Sequence, residues 1–340
     1  MPKRPIYPLG FWFWSAFSAL TLGLAGCAPL GPLTLPGLPT PCDPVLPGQT
    51  IGSAWQQVAP DLWLNQASID ALSTPANGGH ISNVVFELDR SGPGPRGWLV
   101  GSGPGARAGQ ALACSIGQQL GAQVTDVISP RAHPESVLGA AGLPDARHWA
   151  LPEVKAAMTQ RCESCLKRLE TATHAPAPLV DHVALPTHLI QPPQLGPFDV
   201  LRVEVQAQQS VALLQHRTSG VWILPGIVWG RGLVPDLREA DAVQLVGVLN
   251  QLAALQVTRV LPEQGASADG SLIDDNRDYW TRLLLALKTR WNQGENQPGT
   301  ASGLTASDRA QASPSARLRD QLNAQRAWQQ IENSGFQDQP

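Results

Sequence analysis

The order of short apolar strands and amphipathic helices between residues 58 and 291 constrains the fold of this chain more than any other feature. Strand patterns come first, then a helix, a strand, a helix, a group of strands, a helix, a strand and a final helix. Grouped strands flanked by helices favour two packed sheets over one alternating α/β sheet. We therefore predict the α+β class and an αββα sandwich, with helices at 107–120, 134–143, 152–169, 241–255 and 275–291 and strands at 58–64, 80–88, 96–100, 124–128, 180–185, 200–205, 211–215, 221–224 and 259–261.

The N-terminus has the three parts of an export signal. Lys3 and Arg4 precede an uncharged apolar stretch at 11–24, which is shorter than the ~20 residues that a membrane-spanning helix needs. The stretch ends in Leu24-Ala25-Gly26-Cys27, which resembles the lipobox of bacterial lipoproteins. The resemblance implies that residues 1–26 are removed as a signal peptide and that Cys27 receives a lipid. An ordinary secretory signal with a chance cysteine is the alternative.

This signal predicts a location in the cell envelope, on a membrane surface that faces the periplasm. Ala28 follows the cysteine, and a residue other than Asp at that place fits the outer membrane of the Gram-negative systems that the signal resembles. Residues 27–54 are rich in Pro and Gly and carry a single charge, Asp43. Such a chain is extended and stiff. We expect a tether here or, alternatively, a loop around the domain that Cys42 fastens.

The last fifty residues differ in composition from the rest. After residue 291 the chain turns polar, and we interpret 292–340 as a tail. Residues 292–312 have the composition of a disordered segment. Ser313-Pro314 resembles a helix N-cap followed by Pro at the first helical position, and Gly335 suits a C-cap, so a terminal helix is expected at 314–334.

Charge and cysteine content exclude some functions. The formal net charge is −3 and there is no basic patch, so nucleic acid is not an expected partner. An exported chain lies in an oxidising compartment, where disulfides form. A structural zinc finger is disfavoured because the single C-x-x-C has no partner motif, and its place inside a predicted helix favours a structural role over a redox role. The disulfide candidates are Cys42, Cys114, Cys162 and Cys165, whose three possible pairings stay open.

Several short motifs follow one another in an order that resembles the metallo-β-lactamase fold over residues 55–291. Gly101-Ser102-Gly103 stands where that family has Asp-Thr/Ser-Gly, and residues 131–139 stand at its His-x-His-x-Asp-His motif. Pro225-Gly226-Ile227 and Pro262-Glu263-Gln264-Gly265 stand at two further motifs. The closest likeness is to exported zinc-hydrolase-like proteins associated with periplasmic quinoprotein oxidation systems.

The resemblance also implies that the zinc centre has been lost. Among the positions of the family's metal ligands, only the second His is retained, as His133, and Glu135 replaces an Asp. An arginine cannot ligate a cation, and an isoleucine has no donor atom, whereas a catalytic zinc needs about three protein ligands. We therefore expect no metal and no cofactor. The degenerate positions are Arg131, His133, Glu135, Ser136, Gln206, Ile227 and Gln264.

Three hypotheses of function follow. The first is a non-catalytic accessory or binding lipoprotein, with Arg131 and Glu135 forming an ion pair in the old pocket or, alternatively, with Arg131, His133 and Glu135 as solvated loop residues. Its partner would be a periplasmic protein, a quinoprotein system by family likeness. The second is a residual hydrolase that uses His133 as base and Glu135 as its orienting group. The third is an outer-membrane structural protein of unrelated fold.

Overall fold

The computed structural model describes residues 54–67, 82–173 and 180–334. The signal peptide, Cys27, Cys42 and almost all of the tether lie outside the described residues, so their predicted roles stay predictions. Within the described residues, no helix is both long enough and apolar enough to cross a membrane.

In the described residues the first sheet has seven strands, whose order in the sheet is their order along the chain. They are β1 (Trp55–Ala59), β2 (Leu62–Asn65), β3 (Val84–Asp89), β4 (Arg96–Val100), β5 (Gln123–Ile128), β6 (Arg147–Ala150) and β7 (His188–Leu189). Neighbours from β1 to β4 pair antiparallel, and neighbours from β4 to β7 pair parallel.

The second sheet has six described strands in the order β13-β12-β11-β10-β9-β8. They are β8 (Gln194–Leu195), β9 (Phe198–Gln206), β10 (Gln209–His216), β11 (Trp222–Leu224), β12 (Arg259–Pro262) and β13 (Ala268–Asp269). Only β11 and β12 pair parallel; the other neighbours are antiparallel.

The helices form the outer layers. They are α1 (Ala106–Leu120), α2 (Pro134–Val137), α3 (Pro152–Thr173), α4 (Ala242–Ala254), α5 (Ser271–Asn292), α6 (Ala306–Gln311) and α7 (Pro314–Ser334). A 3-10 helix, Leu138–Gly142, follows α2 directly. Sequence signals set several ends: the Asp241 side chain accepts from the first amides of α4, and Gly121, with φ 63°, ends α1 in the left-handed conformation.

The buried apolar residues form three clusters, one at each of the three interfaces between the four layers. Strand alternation sends Val85 of β3 between the sheets, where it meets Leu214 of β10, and sends Phe86 outward against Leu112 of α1. On the outer face of the second sheet, α4, α5 and α7 pack together, with Trp280 fully buried. The predicted αββα sandwich is confirmed.

Individual elements differ from the prediction. The strand expected at 58–64 is a hairpin, because Asp61 turns the chain with φ 58°. Residues 180–185 form no strand, whereas β6 was not predicted. The hairpin expected between 211–215 and 221–224 is the β10–β11 pair.

The C-terminal fifty residues belong to the folded body. The structure differs from the expected disorder at 292–312, because Ala301 and Ser302 are buried there and α6 lies within the segment. The helix expected at 314–334 coincides with α7. It places Trp328 and Ile331 in the same core as α5, so the thin apolar content of this helix is still sufficient for packing.

Candidate functional site

Three loops meet at one edge of the sandwich, after β5, β11 and β12. The loop after β5 carries Arg131 and is tied to the second sheet by the Ala212 amide, which donates to the Pro130 carbonyl at 2.9 Å. The loop after β12 is tied to the first sheet by the Asn83 amide, which donates to the Glu263 carbonyl at 2.7 Å. The edge therefore joins both sheets where the resemblance places the family's metal centre.

Arg131 and Glu263 form the central ion pair of this edge. Arg131 Nη2 lies 2.7 Å from Glu263 Oε1, with side-chain exposures of 13% and 5%. Glu263 also accepts from Ser82 Oγ at 2.5 Å and from the Gly226 amide at 2.9 Å. Gly226 has φ +72°, and a Cβ there would lie 2.9 Å from Arg131 Cδ, so glycine is required beneath the guanidinium. The expected pair of Arg131 with Glu135 is therefore wrong; Arg131 pairs with Glu263.

Glu135 instead joins a second chain of charges. Its Oε2 contacts Nδ1 of His133, and its Oε1 lies 3.5 Å from Arg238 Nη1. Arg238 Nε in turn donates to Asp236 Oδ2 at 2.6 Å, and Arg326 Nη1 of α7 donates to Asp236 Oδ1 at 3.1 Å. The chain links α2 to the C-terminal helix through the loop before α4.

The charges of this chain stabilise one another. Burial raises the pKa of Glu135, but its interactions with His133 and Arg238 outweigh burial and hold that pKa well below its ordinary value. The pKa of Asp236 is also lowered, because three nearby guanidinium groups outweigh its burial. Burial opposes the charge of Arg238, yet Glu135 and Asp236 raise its pKa above the ordinary value. Both carboxylates therefore stay ionised at neutral pH.

A further arginine reaches the same pocket from α7. Arg319 Nη1 donates to the Val234 carbonyl at 3.1 Å and to Gln264 Oε1 at 3.4 Å. Burial lowers the pKa of Arg319. Gln264 therefore faces an arginine at the position where the resemblance places a metal-ligating histidine.

The remaining degenerate positions lie elsewhere. Ile227 is fully buried in the core against α4 and α5. The Ser136 carbonyl accepts from the amide and the hydroxyl of Ser102, at 2.8 and 3.1 Å. Gln206 ends β9 and does not line the pocket. The structure thus brings together Arg131, His133 and Gln264, and Glu135 contacts His133 beside them.

Zinc does not fit the pocket that remains. Its free space is about what one water molecule needs. In the described part of the chain, no three His, Cys, Asp or Glu side chains converge where they could hold a metal ion. Guanidinium groups repel a cation and offer it no lone pair. The pocket is lined by Arg131, His133, Trp229, Asp236, Arg238, Glu263, Gln264 and Arg319.

The cysteines only partly follow the prediction. Cys114 is disulfide-bonded. Cys162 and Cys165 carry thiols, so the prediction that both lie in disulfides is wrong. They lie within α3, and Cys162 is buried in the core between the sheets. Burial raises the pKa of the Cys162 thiol to about 12, which disfavours the thiolate that redox chemistry requires.

A second buried polar pair lies towards the far end of β3. Glu87 Oε1 is 4.0 Å from His216 Nε2, and His216 Nδ1 is 2.7 Å from Ser219 Oγ. Burial, with smaller contributions from Asp89 and Asp61, raises the pKa of Glu87 to about 7. Burial also lowers the pKa of His216. Both groups therefore favour their neutral forms.

Sequence reasoning missed five charged members of the site. Glu263 could have been found, because it replaces a glycine of the resembled motif and stands beside Gln264. The other four come from segments without a recognisable motif. They are Asp236, Arg238, Arg319 and Arg326.

Comparison with known proteins identifies the fold. No protein-family model and no curated protein matches the sequence of this chain. A metallo-β-lactamase from Erythrobacter litoralis, solved with β-mercaptoethanol in its active site, is similar in structure, with a TM-score of 0.53, 13% identity and coverage of 67% of this chain and 96% of that one. The FIM-1 enzyme from Pseudomonas aeruginosa, in its mono-zinc form, has a TM-score of 0.52, 11% identity and coverage of 67% and 94%.

A third neighbour agrees with these two. The DIM-1 metallo-β-lactamase, exposed to ceftazidime, has a TM-score of 0.51, 13% identity and coverage of 66% of this chain and 94% of that one. The chain therefore has the metallo-β-lactamase fold. At such low identity the likeness shows the fold alone.

Proposed function

We propose that this chain is a non-catalytic accessory or binding protein, held at a membrane by a lipid on Cys27. The observation that carries the proposal is the buried ion pair of Arg131 with Glu263, which fills the edge where the resemblance places zinc. In a metallohydrolase the zinc ion polarises the substrate and activates the attacking water, and a guanidinium in its place does neither. The fold then serves as a scaffold.

The alternative, a residual hydrolase, needs a general base that can reach a substrate or a water molecule. His133 has a side chain only 4% exposed, and its Nδ1 contacts Glu135. Glu135 is ionised and contacts His133 as an orienting group would, but the pocket beside His133 has room for about one water molecule and none for a substrate. These observations support the scaffold over the hydrolase.

The proposed location is the periplasmic face of the outer membrane. The lipobox-like motif and Ala28 support it, and the Pro-rich tether would hold the domain away from the lipid surface. The proposed partner is a periplasmic protein. Likeness to exported proteins of quinoprotein oxidation systems suggests such a system as the first one to test.

The proposal is tested by activity and by the response to chelators. The mature protein should hydrolyse neither β-lactams nor thioesters, and a strong zinc chelator should leave its melting temperature unchanged, because no bound metal contributes to folding. A zinc-loaded metallo-β-lactamase treated in parallel serves as positive control. A fall of several degrees on chelation, or hydrolysis that the chelator abolishes, would refute the proposal.

A further inference from the structure

Three buried polar atoms beside the Arg131–Glu263 ion pair have no hydrogen-bond partner among the described residues. They are Nε of Arg131, Oε2 of Glu153 and Oγ of Ser210. They come from three separate elements: the loop after β5, the first turn of α3 and strand β10. Buried polar atoms are almost always hydrogen-bonded, because leaving one unpaired costs free energy. Three such atoms in one neighbourhood therefore point to a shared ligand.

Other contacts fix the side chains that carry these atoms. Arg131 Nη2 donates to Glu263 Oε1 at 2.7 Å, which holds the guanidinium in place. Glu153 Oε1 accepts from Arg202 Nε at 2.8 Å and lies 2.7 Å from Arg202 Nη2, which leaves the other carboxylate oxygen unused. Ser210 is 6% exposed, so bulk solvent does not reach its hydroxyl. The ligand must therefore lie inside the protein.

The three side chains line one small cavity. This cavity adjoins the pocket that contains His133 and shares Arg131 with it. Its volume is ≈ 20 Å³, whereas a water molecule needs about 10–15 Å³ on the same measure. It therefore has room for one water molecule and for no larger ligand. Its apolar walls are formed by Val154, Ala157, Val205 and Val211.

Charges of both signs line the cavity, which favours a neutral ligand. Arg131 would repel a small cation such as ammonium, and Glu153 and Asp236 would repel a small anion such as chloride. Arg131 Nε is a donor and Glu153 Oε2 an acceptor, so the ligand must accept one hydrogen bond and donate another. The Ser210 hydroxyl can do either. A water molecule has all of these properties.

We propose that this cavity binds one water molecule as a permanent part of the fold. The water accepts from Arg131 Nε and donates to Glu153 Oε2, and Ser210 Oγ is its third partner. It connects the loop after β5 to α3 and to β10. The guanidinium of Arg131 is thereby held from two sides, by Glu263 at Nη2 and by the water at Nε. This site goes beyond the proposed function and does not depend on it.

A high-resolution crystal structure of the mature protein tests the proposal on the wild-type chain. It should show a fully occupied solvent peak within about 3.2 Å of Arg131 Nε, Glu153 Oε2 and Ser210 Oγ. A cavity without a solvent peak, or a peak that refines as an ion, would overturn the proposal. Either result leaves the proposed function standing, because that proposal is tested by zinc and by hydrolysis.

Magnetic relaxation dispersion of water ¹⁷O, which counts long-lived internal water molecules, tests the same site in solution. Ser210→Val removes the hydroxyl and places a methyl group in the cavity, so the count should fall by one. Thr218→Val makes the same exchange of hydroxyl for methyl at an exposed residue of the β10–β11 turn and should leave the count unchanged. If Ser210→Val does not fold, Ser210→Ala should shorten the residence time of the water, because one of its three partners is gone. An unchanged count in folded Ser210→Val, or an unchanged residence time in Ser210→Ala, would contradict the assignment.

Discussion

Replacing Glu263 by Gln should destabilise the protein strongly, because it leaves the Arg131 guanidinium without its counter-ion. The Glu263 side chain is 5% exposed and that of Arg131 13%, so solvent screens this pair little. Removing one member of a buried ion pair costs about 3–5 kcal/mol. Because the Gln oxygen can still accept the hydrogen bonds from Ser82 and Arg131, which both go to Oε1 of Glu263, we expect the low end, about 3 kcal/mol. That is a large part of the roughly 5–15 kcal/mol by which a domain is stable.

The assay is urea unfolding of the mature chain, followed by tryptophan fluorescence at pH 7. Glu295→Gln is the matched control: its partner Arg290 lies 3.3 Å away, but the Glu295 side chain is 46% exposed. This change should cost less than about 1 kcal/mol. Adding Arg131→Met to Glu263→Gln should restore part of the loss, because the uncompensated charge is gone, and the double-mutant cycle should give a coupling of about 2 kcal/mol.

Two results would contradict this prediction. A cost for Glu263→Gln as small as that of the exposed control would mean that the pair does not hold the edge together. Strict additivity of Arg131→Met and Glu263→Gln would mean that the two side chains do not interact in solution, and the ion pair could not be the structural replacement for a metal.

Three further predictions concern other parts of the chain. The pKa of Glu87 is raised in the folded state to about 7 from an ordinary 4.5. Its contribution to stability is therefore complete below pH 4.5 and is lost as pH rises through 7, with a total loss of up to about 3 kcal/mol. Glu87→Gln should flatten this pH dependence of the free energy of unfolding, measured by urea titrations at pH 5 to 8.5. Cys27→Ser should move the protein from the membrane to the soluble or uncleaved fraction, and persistence in salt-washed membranes would contradict the anchor. Because Cys162 and Cys165 are thiols and Cys27 is expected to carry lipid, non-reducing peptide mapping should find Cys114 bonded to Cys42. Native Cys162 should react slowly with thiol reagents, because burial raises its pKa.

The layered fold was predictable because burial leaves a periodic trace in sequence. Helices such as α4 show their buried face at helical spacing, and grouped strands predicted two sheets. Short strands at or next to a sheet edge carry little such trace: β6, β7 and β8 have four residues or fewer and were missed or misplaced. The segment at 292–312 was misjudged because its buried residues include the small Ala301 and Ser302, which add little hydrophobicity to a window of polar residues.

The site was predictable only where a motif fixed a position. The motif order placed Arg131 and Gln264 at one edge, and the structure puts both in one pocket. Their partners could not be inferred, because Glu263 is far from Arg131 in sequence, Arg319 is far from Gln264, and side-chain contacts across a fold follow no spacing rule. Residue type alone suggested Glu135 as the partner of Arg131, whereas the direction of α2 turns Glu135 towards His133 and Arg238.

We propose that an arginine–carboxylate network stands where metallo-β-lactamases hold zinc. Elemental analysis of the mature protein, purified without chelator and then dialysed against a small excess of zinc, tests this proposal. We predict well under one zinc per chain, because the pocket offers guanidinium groups where ligands are needed. One or more zinc ions per chain, retained through dialysis and lost on His133 or Glu263 substitution, would contradict this prediction and revive the hydrolase.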